Sequence, residues 1–541
     1  MMATITGGCG KAQETAQAGD QPTAGAEKQN LRLAFSISIP SLDPQLANSM
    51  PAQTMGSSIM EGLVRVSGGQ ISPGIAEKWD LSEDGLTYTF HLREAKWSDD
   101  VPVTAKDFEY GIKRLADPKT GSPFAFAANY IMNGEKVVSG DLDVDQLAVK
   151  ALDDKTLEIK VPVPEPFFLG MLNGVSFYPA RQDIIEKYGK DFAASPDKMV
   201  FNGPFIMTEW VKENRMKLDK NHKYWDKDNV KLDTVEVLNV DNRDTQTNMF
   251  ENGELDYLDI RGEVLERYKN EGKFPINKYS NGAVAYFKFN AKSDNPLMNN
   301  DNFRKAVAYG LDRKEYTLLT YKGKDTPATR YILPAIAGVE KTFVEEHPLT
   351  YYSETADLEK AKDYLAKAMQ ELNITDPAKL EFSYLVYDTG GGKSMGEAIQ
   401  GILKKNLGIT VNVELAPYAD KIDRELKLDY EACDSGWCPD YDDPMTYLDL
   451  WLSDSTQNSC GYSNPKYDEL VKFAKASSDF KARGDAMFEA EKILLEDAYI
   501  VPLTFDGSYW VGYPYLKGLV RNYIGADPDF VHASVEGKES K

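Results

Sequence analysis

Hydrophobic and polar positions alternate in short runs along most of this chain, beginning near Leu31. Leu31-Arg32-Leu33-Ala34-Phe35 has the period of a strand, and Ser41-Leu42-Asp43-Pro44 is a turn that ends it. Apolar spacing then predicts a helix over 55–64 and a strand over 88–92. Thr104 reads as the N-cap of a helix over 106–115. Asp153-Asp154-Lys155-Thr156 is a turn before a strand over 157–161, which Pro162, Pro164 and Pro166 stop.

Beyond residue 200 the same rhythm continues. A strand over 235–238 leads into a helix over 244–252, with Gly253 suited to its C′ position. A strand is expected over 283–289 and a helix over 302–311. A strand over 380–387, a helix over 393–406 closed by Gly408, and a strand over 409–415 form a β-α-β unit. The fold class is therefore α/β, with no fixed-period repeat. At 541 residues the chain is too long for one ordinary core and implies two or three lobes.

Composition narrows the function by exclusion. Hydrophobic residues make up 42% and charged residues 27%, and no run approaches a membrane span. A net charge of -23 argues against a nucleic-acid partner. Four His residues, at 91, 222, 347 and 532, contain no His-x-x-x-His pair, so no zinc ligand set is visible and no metal or cofactor is expected. Asp388-Thr389-Gly390-Gly391-Gly392-Lys393-Ser394 follows a strand and precedes a helix, as a phosphate loop does. Tyr387 stands where that pattern needs Gly, and no second Asp-Thr-Gly triplet exists for an aspartic protease dyad. A Gly-rich β-α connection explains it, and no catalytic constellation remains: the reading is a non-enzyme. Near the start, Gly7-Gly8-Cys9 has the look of a bacterial lipoprotein signal end, with Thr6 in place of the usual Leu and no room for the charged and apolar regions. Residues 1–28 are read as a truncated signal remnant carrying a lipidation site at Cys9, followed by a flexible tether.

The segment 76–108 contains Ala76-Glu77-Lys78-Trp79-Asp80-Leu81-Ser82-Glu83-Asp84-Gly85-Leu86-Thr87-Tyr88-Thr89-Phe90-His91-Leu92-Arg93 and Lys96-Trp97-Ser98-Asp99-Asp100-Val101-Pro102-Val103-Thr104. It closely resembles the signature of the family 5 solute-binding proteins, the peptide- and nickel-binding receptors of ABC importers. Asp100 replaces the family's usual Gly, which should alter a turn conformation. The resemblance continues through Asn202-Gly203-Pro204-Phe205, Asn221-His222-Lys223-Tyr224-Trp225, Phe250-Glu251-Asn252-Gly253-Glu254-Leu255-Asp256 and Phe303 to Arg313. Ser435-Gly436-Trp437-Cys438-Pro439-Asp440-Tyr441-Asp442-Asp443-Pro444 is most similar to the oligopeptide binders within that family.

The resemblance implies a two-lobed periplasmic-binding-protein type II fold with an extra domain. Lobe I would combine 29–60, 189–283 and 506–535; lobe II would be 61–188; lobe III would be 284–505; and 536–541 would be a tail. Lobes I and II would close on lobe III about a hinge. Gly436, Trp437 and Cys438 would lend backbone to a bound oligopeptide, and Asp440 would pair with its α-ammonium. Asn48, Ser49 and Met50 would form a second backbone track, with Tyr130 and Phe124 lining the cleft. A turn-stabilising role is the plain alternative for Asp440. Asp434 stands where some relatives place an Arg for the C-terminus of short peptides, which disfavours ligands ending there. The family partner of Cys438 falls near Val284, so a disulfide would have to join two of Cys433, Cys438 and Cys460. The expected role is an extracytoplasmic, monomeric receptor, anchored to the cell membrane if Cys9 is processed, that delivers oligopeptides to permease subunits of an importer. The alternatives are a dipeptide, nickel-chelate, haem or sugar ligand in the same family, a peptide-sensing or chaperone role, and an α/β enzyme.

Overall fold

A computed structural model describes residues 29–35, 39, 41–47, 49–322, 324–388, 391–455 and 457–538. Cys9, the tether and Asn48 lie outside the described residues. The chain enters through β1 (Asn30–Phe35), a helix Met50–Ile59, and a hairpin of β2 (Val64–Ser67) and β3 (Gln70–Pro73). An antiparallel sheet follows from β4 (Ala76–Leu81), β5 (Thr87–Leu92), β6 (Val149–Asp153) and β7 (Thr156–Lys160), ordered β4-β5-β7-β6. Next come β8 (Phe205–Val211), β9 (Arg215–Lys220) and β10 (Thr234–Asn239). β10 returns to pair in parallel with β1, giving the order β1-β10-β9-β8.

The chain then forms β11 (Tyr257–Ile260) and β12 (Ile276–Tyr279) before a large mixed sheet. Its strands are β13 (Val284–Phe289), β14 (Thr326–Pro327), β15 (Glu381–Tyr387), β16 (Thr410–Ala416), β17 (Ala432–Trp437) and β18 (Ile500–Phe505), ordered β14-β18-β13-β17-β15-β16. β19 (Ser508–Gly512) then inserts between β11 and β12.

Two main cores result. One is drawn from residues 284–505, with Phe287, Tyr331 and Trp451 among its buried members; Phe167 joins it from elsewhere, and Tyr130 and Tyr523 pack against it. The other is built from segments between Leu31 and Tyr257 and closed by Phe530 to Val535; it holds Phe90, Trp97 and Phe205. The chain crosses between the cores at 280–283 and 506–507. These crossings are neighbours: β12 and β19 are hydrogen-bonded before them, as β13 and β18 are after. Asp506 N–H donates to Ala283 O at 2.9 Å, tying one crossing to the other.

The β-α-β unit expected around 380–415 is found: β15 and β16 pair in parallel, joined by the helix Gly392–Leu407. The helix expected over 55–64 instead spans Met50–Ile59, and Val64 begins β2. Ser49 explains the shift. Its hydroxyl accepts from Ala52 N–H and Pro51 occupies the first turn, which together set the helix start five residues earlier than the apolar spacing suggests. The turn at Asp100, where an altered conformation is expected, has a defined geometry. Asp100 takes the left-handed φ of +72° itself, a region Asp tolerates, and its carboxylate receives Lys223 Nζ at 2.6 Å. Cys433, Cys438 and Cys460 are free thiols. Within 536–541, Glu536 N–H donates to Tyr515 O at 2.8 Å and Lys538 Nζ lies 2.9 Å from the buried carboxylate of Asp256.

Gly282 lies in the first crossing with a φ of +85°. A Cβ there would sit 2.8 Å from the Pro439 ring, and Tyr447 Oη already donates to Gly282 O at 3.1 Å. Gly282→Ala therefore combines left-handed strain with a clash and should destabilise by about 1–3 kcal/mol. Urea unfolding measures this; an unchanged midpoint would show that the crossing accommodates a side chain.

Candidate functional site

β17 is paired unevenly. On one side β13 follows it along its whole length, from Val284↔Trp437 to Phe289↔Ala432. On the other side β15 pairs only at Tyr384↔Ala432 and Leu385↔Cys433, then continues with β16 to Tyr387↔Ala416. The backbone of β17 from Asp434 onward thus has an edge without a neighbouring strand. Asp434 O faces that edge, because it accepts Lys421 Nζ at 2.7 Å. Strand alternation then turns the N–H and C=O of Gly436 to the same side. Gly436 is exposed, and a Cβ there would have only Val284 O nearby, at 3.3 Å. The lack of a side chain leaves room for another backbone.

Thr446, 1% exposed, fixes the turn that follows. Its hydroxyl accepts from Asp440 N–H at 3.1 Å and from Trp437 Nε1 at 3.3 Å. Pro439 rests against Gly282, so this turn is packed directly on a crossing between the cores. The Asp440 side chain keeps a solvent-facing surface and receives no hydrogen bond among the described residues. Burial by its surroundings, then repulsion from Asp449, pushes its carboxyl up to about 6. An acid in this state is short of a cation.

The other core faces this turn through aromatic rings. Phe167 stacks on Tyr441 with centroids 4.1 Å apart, and Tyr130 meets both rings edge-on. Tyr130 Oη donates to Tyr441 Oη at 3.3 Å, and Tyr441 Oη to Asp449 at 3.4 Å. Beneath them Arg483 and Asp443 form a buried pair with two bonds of 2.8 Å. Glu165 lies beside that pair; burial first, then Asp443 against the opposing pull of Arg483, raises its carboxyl to about 8. Cavities of about 320 Å³ and about 160 Å³ lie on either side of Pro166, lined from both cores, and Asp440 lines neither.

Gly436, Trp437, Cys438 and Asp440 thus stand together on β17 and its turn, with Tyr130 opposite. Phe124 packs on Phe126, at 6.1 Å, on the other core. Ser49 and Met50 form the cap and first residue of a helix; the Ser49 hydroxyl and carbonyl already accept from Ala52 and Gln53. Val284 lies opposite Trp437, one residue from Cys438, whose thiol is exposed. Phe167 and Gly282 were not singled out by the sequence. The run Pro162-Val163-Pro164-Glu165-Pro166-Phe167 was readable only as a strand stop. Asp388 follows β15 and Gly392 begins the next helix; Thr389 and Gly390 lie outside the described residues. Among the described residues no cluster of His, Cys, Asp and Glu is arranged to hold a metal, and no helix is long and apolar enough to cross a membrane.

Residues 70–459 match the family model of the bacterial extracellular solute-binding proteins, family 5. The chain is 34% identical to the dipeptide-binding protein DppE of Bacillus subtilis, over 90% of this chain and 88% of that protein. It is 32% identical to the oligopeptide-binding protein OppA of the same organism, over 90% and 89%. The structure of Listeria monocytogenes OppA bound to peptide superposes with a TM-score of 0.75 at 30% identity, covering 95% of this chain and 100% of that one.

The Arg483–Asp443 pair is 4% and 5% exposed. Asp443→Ala leaves a buried guanidinium without its counter-charge and should cost about 3–5 kcal/mol of stability. Replacing both residues by apolar ones of similar volume should recover most of that loss. Denaturant midpoints of the single and double variants decide it; equal losses would mean that packing, not charge, governs the site.

Proposed function

This chain belongs to the family 5 extracellular solute-binding proteins, and from that premise we propose that it captures oligopeptides between its two cores and delivers them to an ABC importer. The observation that carries the reading is the unpaired edge of β17 ending at the uncompensated carboxylate of Asp440. A receptor for many peptide sequences cannot rely on side chains. It can use what all peptides share, backbone N–H and C=O groups and a charged N-terminus. A ligand laid along the edge at Gly436 satisfies its backbone as an added strand. Its α-ammonium, if buried, requires an acid, and Asp440 is the group suited to provide it. Waters at the remaining side chains adapt the site to varied ligands.

The two adjacent crossings suit a hinge. On this reading, residues 29–60, 189–283 and 506–535 form lobe I, 61–188 form lobe II, and 284–505 form lobe III. Lobes I and II swing together against lobe III, with Phe167 and Tyr130 meeting Tyr441. Contact between Pro439 and Gly282 ties the ligand turn to the hinge. Helix Met50–Ile59 offers its exposed N-terminal residue Met50, and Phe124 the wall beside Tyr130, as further lining. The protein works outside the cytoplasm as a monomer, without catalysis, held at the membrane through Cys9. The second reading is a dipeptide ligand. It is favoured by the likeness to DppE and by Lys421, which closes the β17 edge at Asp434 O. Titration with peptides of two to eight residues separates the two.

The anchor has a direct test. Asp440→Ala should weaken binding by about 2–5 kcal/mol, roughly a 30- to several-thousand-fold rise in Kd. N-acetylation of the peptide should cost wild type a similar amount and the variant far less. Equal acetylation costs in both proteins would remove Asp440 from the role.

The pH dependence has a fixed sign. Binding favours the ionised carboxylate, whose free-state value of about 6 is lowered by the ammonium. Affinity is therefore full above about pH 6 and falls by up to about tenfold per pH unit below it. Acetylated peptide should lack this slope; a slope that persists after acetylation would assign it to another group.

A further inference from the structure

A strap of chain, residues 162–167, follows β7 and crosses the seam between the two cores. Its end is divided between them. Phe167 is buried with the residues of 284–505, whereas its neighbour Phe168 is buried in the other core. The base of the strap is fixed on its own side. Tyr88 of β5 packs on Phe168 with ring centroids 5.0 Å apart, and Tyr88 Oη donates to Glu165 O at 3.3 Å. The tip is fixed on the far side by the stack of Phe167 on Tyr441.

Glu165 stands between base and tip. It is 6% exposed, yet its carboxylate accepts no hydrogen bond among the described residues. Four charged groups face it from the far side. Arg483 comes from the helix Phe480–Asp497, Lys475 from the helix Pro465–Ala476, and Asp443 and Asp449 from the segment after β17. From its own side it is faced by the phenols of Tyr88 and Tyr130. Both cations are already matched: Arg483 with Asp443 through two bonds of 2.8 Å, and Lys475 with Asp449 at 3.6 Å. The far face of the seam is thus balanced in charge by itself, and an ionised Glu165 would add a negative charge to it. Bringing that carboxylate out of water into the seam is costly unless it carries a proton.

We propose that the strap is a latch between the cores set by one proton: with Glu165 protonated, Phe167 stays seated on Tyr441 and the seam is shut, and ionisation of Glu165 releases it. The latch acts without a peptide and goes beyond ligand capture. In the open form the carboxyl meets water and keeps its ordinary range. In the shut form burial, with Asp443 against the pull of Arg483, holds it up to about 8. Shutting therefore takes up a proton. The ratio of shut to open protein falls as pH rises from the ordinary carboxylate range, by up to about tenfold per pH unit, and levels off above about 8.

Small-angle scattering of the protein, freed of peptide by unfolding and refolding, tests this from about pH 5 to about pH 9. Wild type should be most compact at the acidic end and expand as pH rises. Glu165→Gln, which cannot ionise, should stay compact throughout. Phe167→Ala should be expanded throughout, because the tip no longer seats, while Phe168 keeps the base of the strap in its own core. A wild-type radius of gyration that does not respond to pH would overturn the latch. So would a Glu165→Gln variant that responds as wild type does, or a Phe167→Ala variant as compact as wild type at the acidic end. Peptide is absent from every arm, so failure of the latch and failure of peptide capture are read separately. If Phe167→Ala does not refold, the wild-type and Glu165→Gln series decide.

Discussion

The arrangement depends on one departure inside the large sheet: β15 leaves β17 after two residue pairs and stays with β16. The departure leaves a backbone edge in the middle of a sheet rather than at its rim. An exposed edge is a hazard on an ordinary surface, because any strand can add to it. Here the edge is bounded by Lys421 at one end and by the Thr446-braced turn at the other. Glycine at 436 keeps the approach clear.

Electrostatics and packing meet at the same turn. Thr446 and Trp437 hold the backbone of Asp440, Pro439 presses on the crossing residue Gly282, and Tyr441 receives Phe167 from the opposite core. Asp440, Asp434 and Glu165 are all held above the ordinary carboxylate range mainly by burial.

Much of this was legible in the sequence, for identifiable reasons. The strand-helix-strand unit around 380–415 was readable because its periods are long and its Gly408 stop is local. The motif around Gly436 and Asp440 was readable by resemblance. The helix start was misplaced because apolar spacing was weighed above Ser49 and Pro51, two local signals that set it. Asp100 takes the left-handed φ of its turn itself, a region Asp tolerates. What stayed hidden was non-local. Nothing near Asp434 announces that β15 departs beside it, and nothing near Phe167 announces Tyr441, 274 positions later.

The central claim is that ligand backbone adds to β17. Residue-resolved amide hydrogen exchange, with and without a saturating peptide, tests it most directly. The account predicts strong slowing at Gly436 on peptide binding, with smaller changes along β13, which is already paired. Peptide bound at saturation with Gly436 exchanging as fast as in the free protein would contradict it.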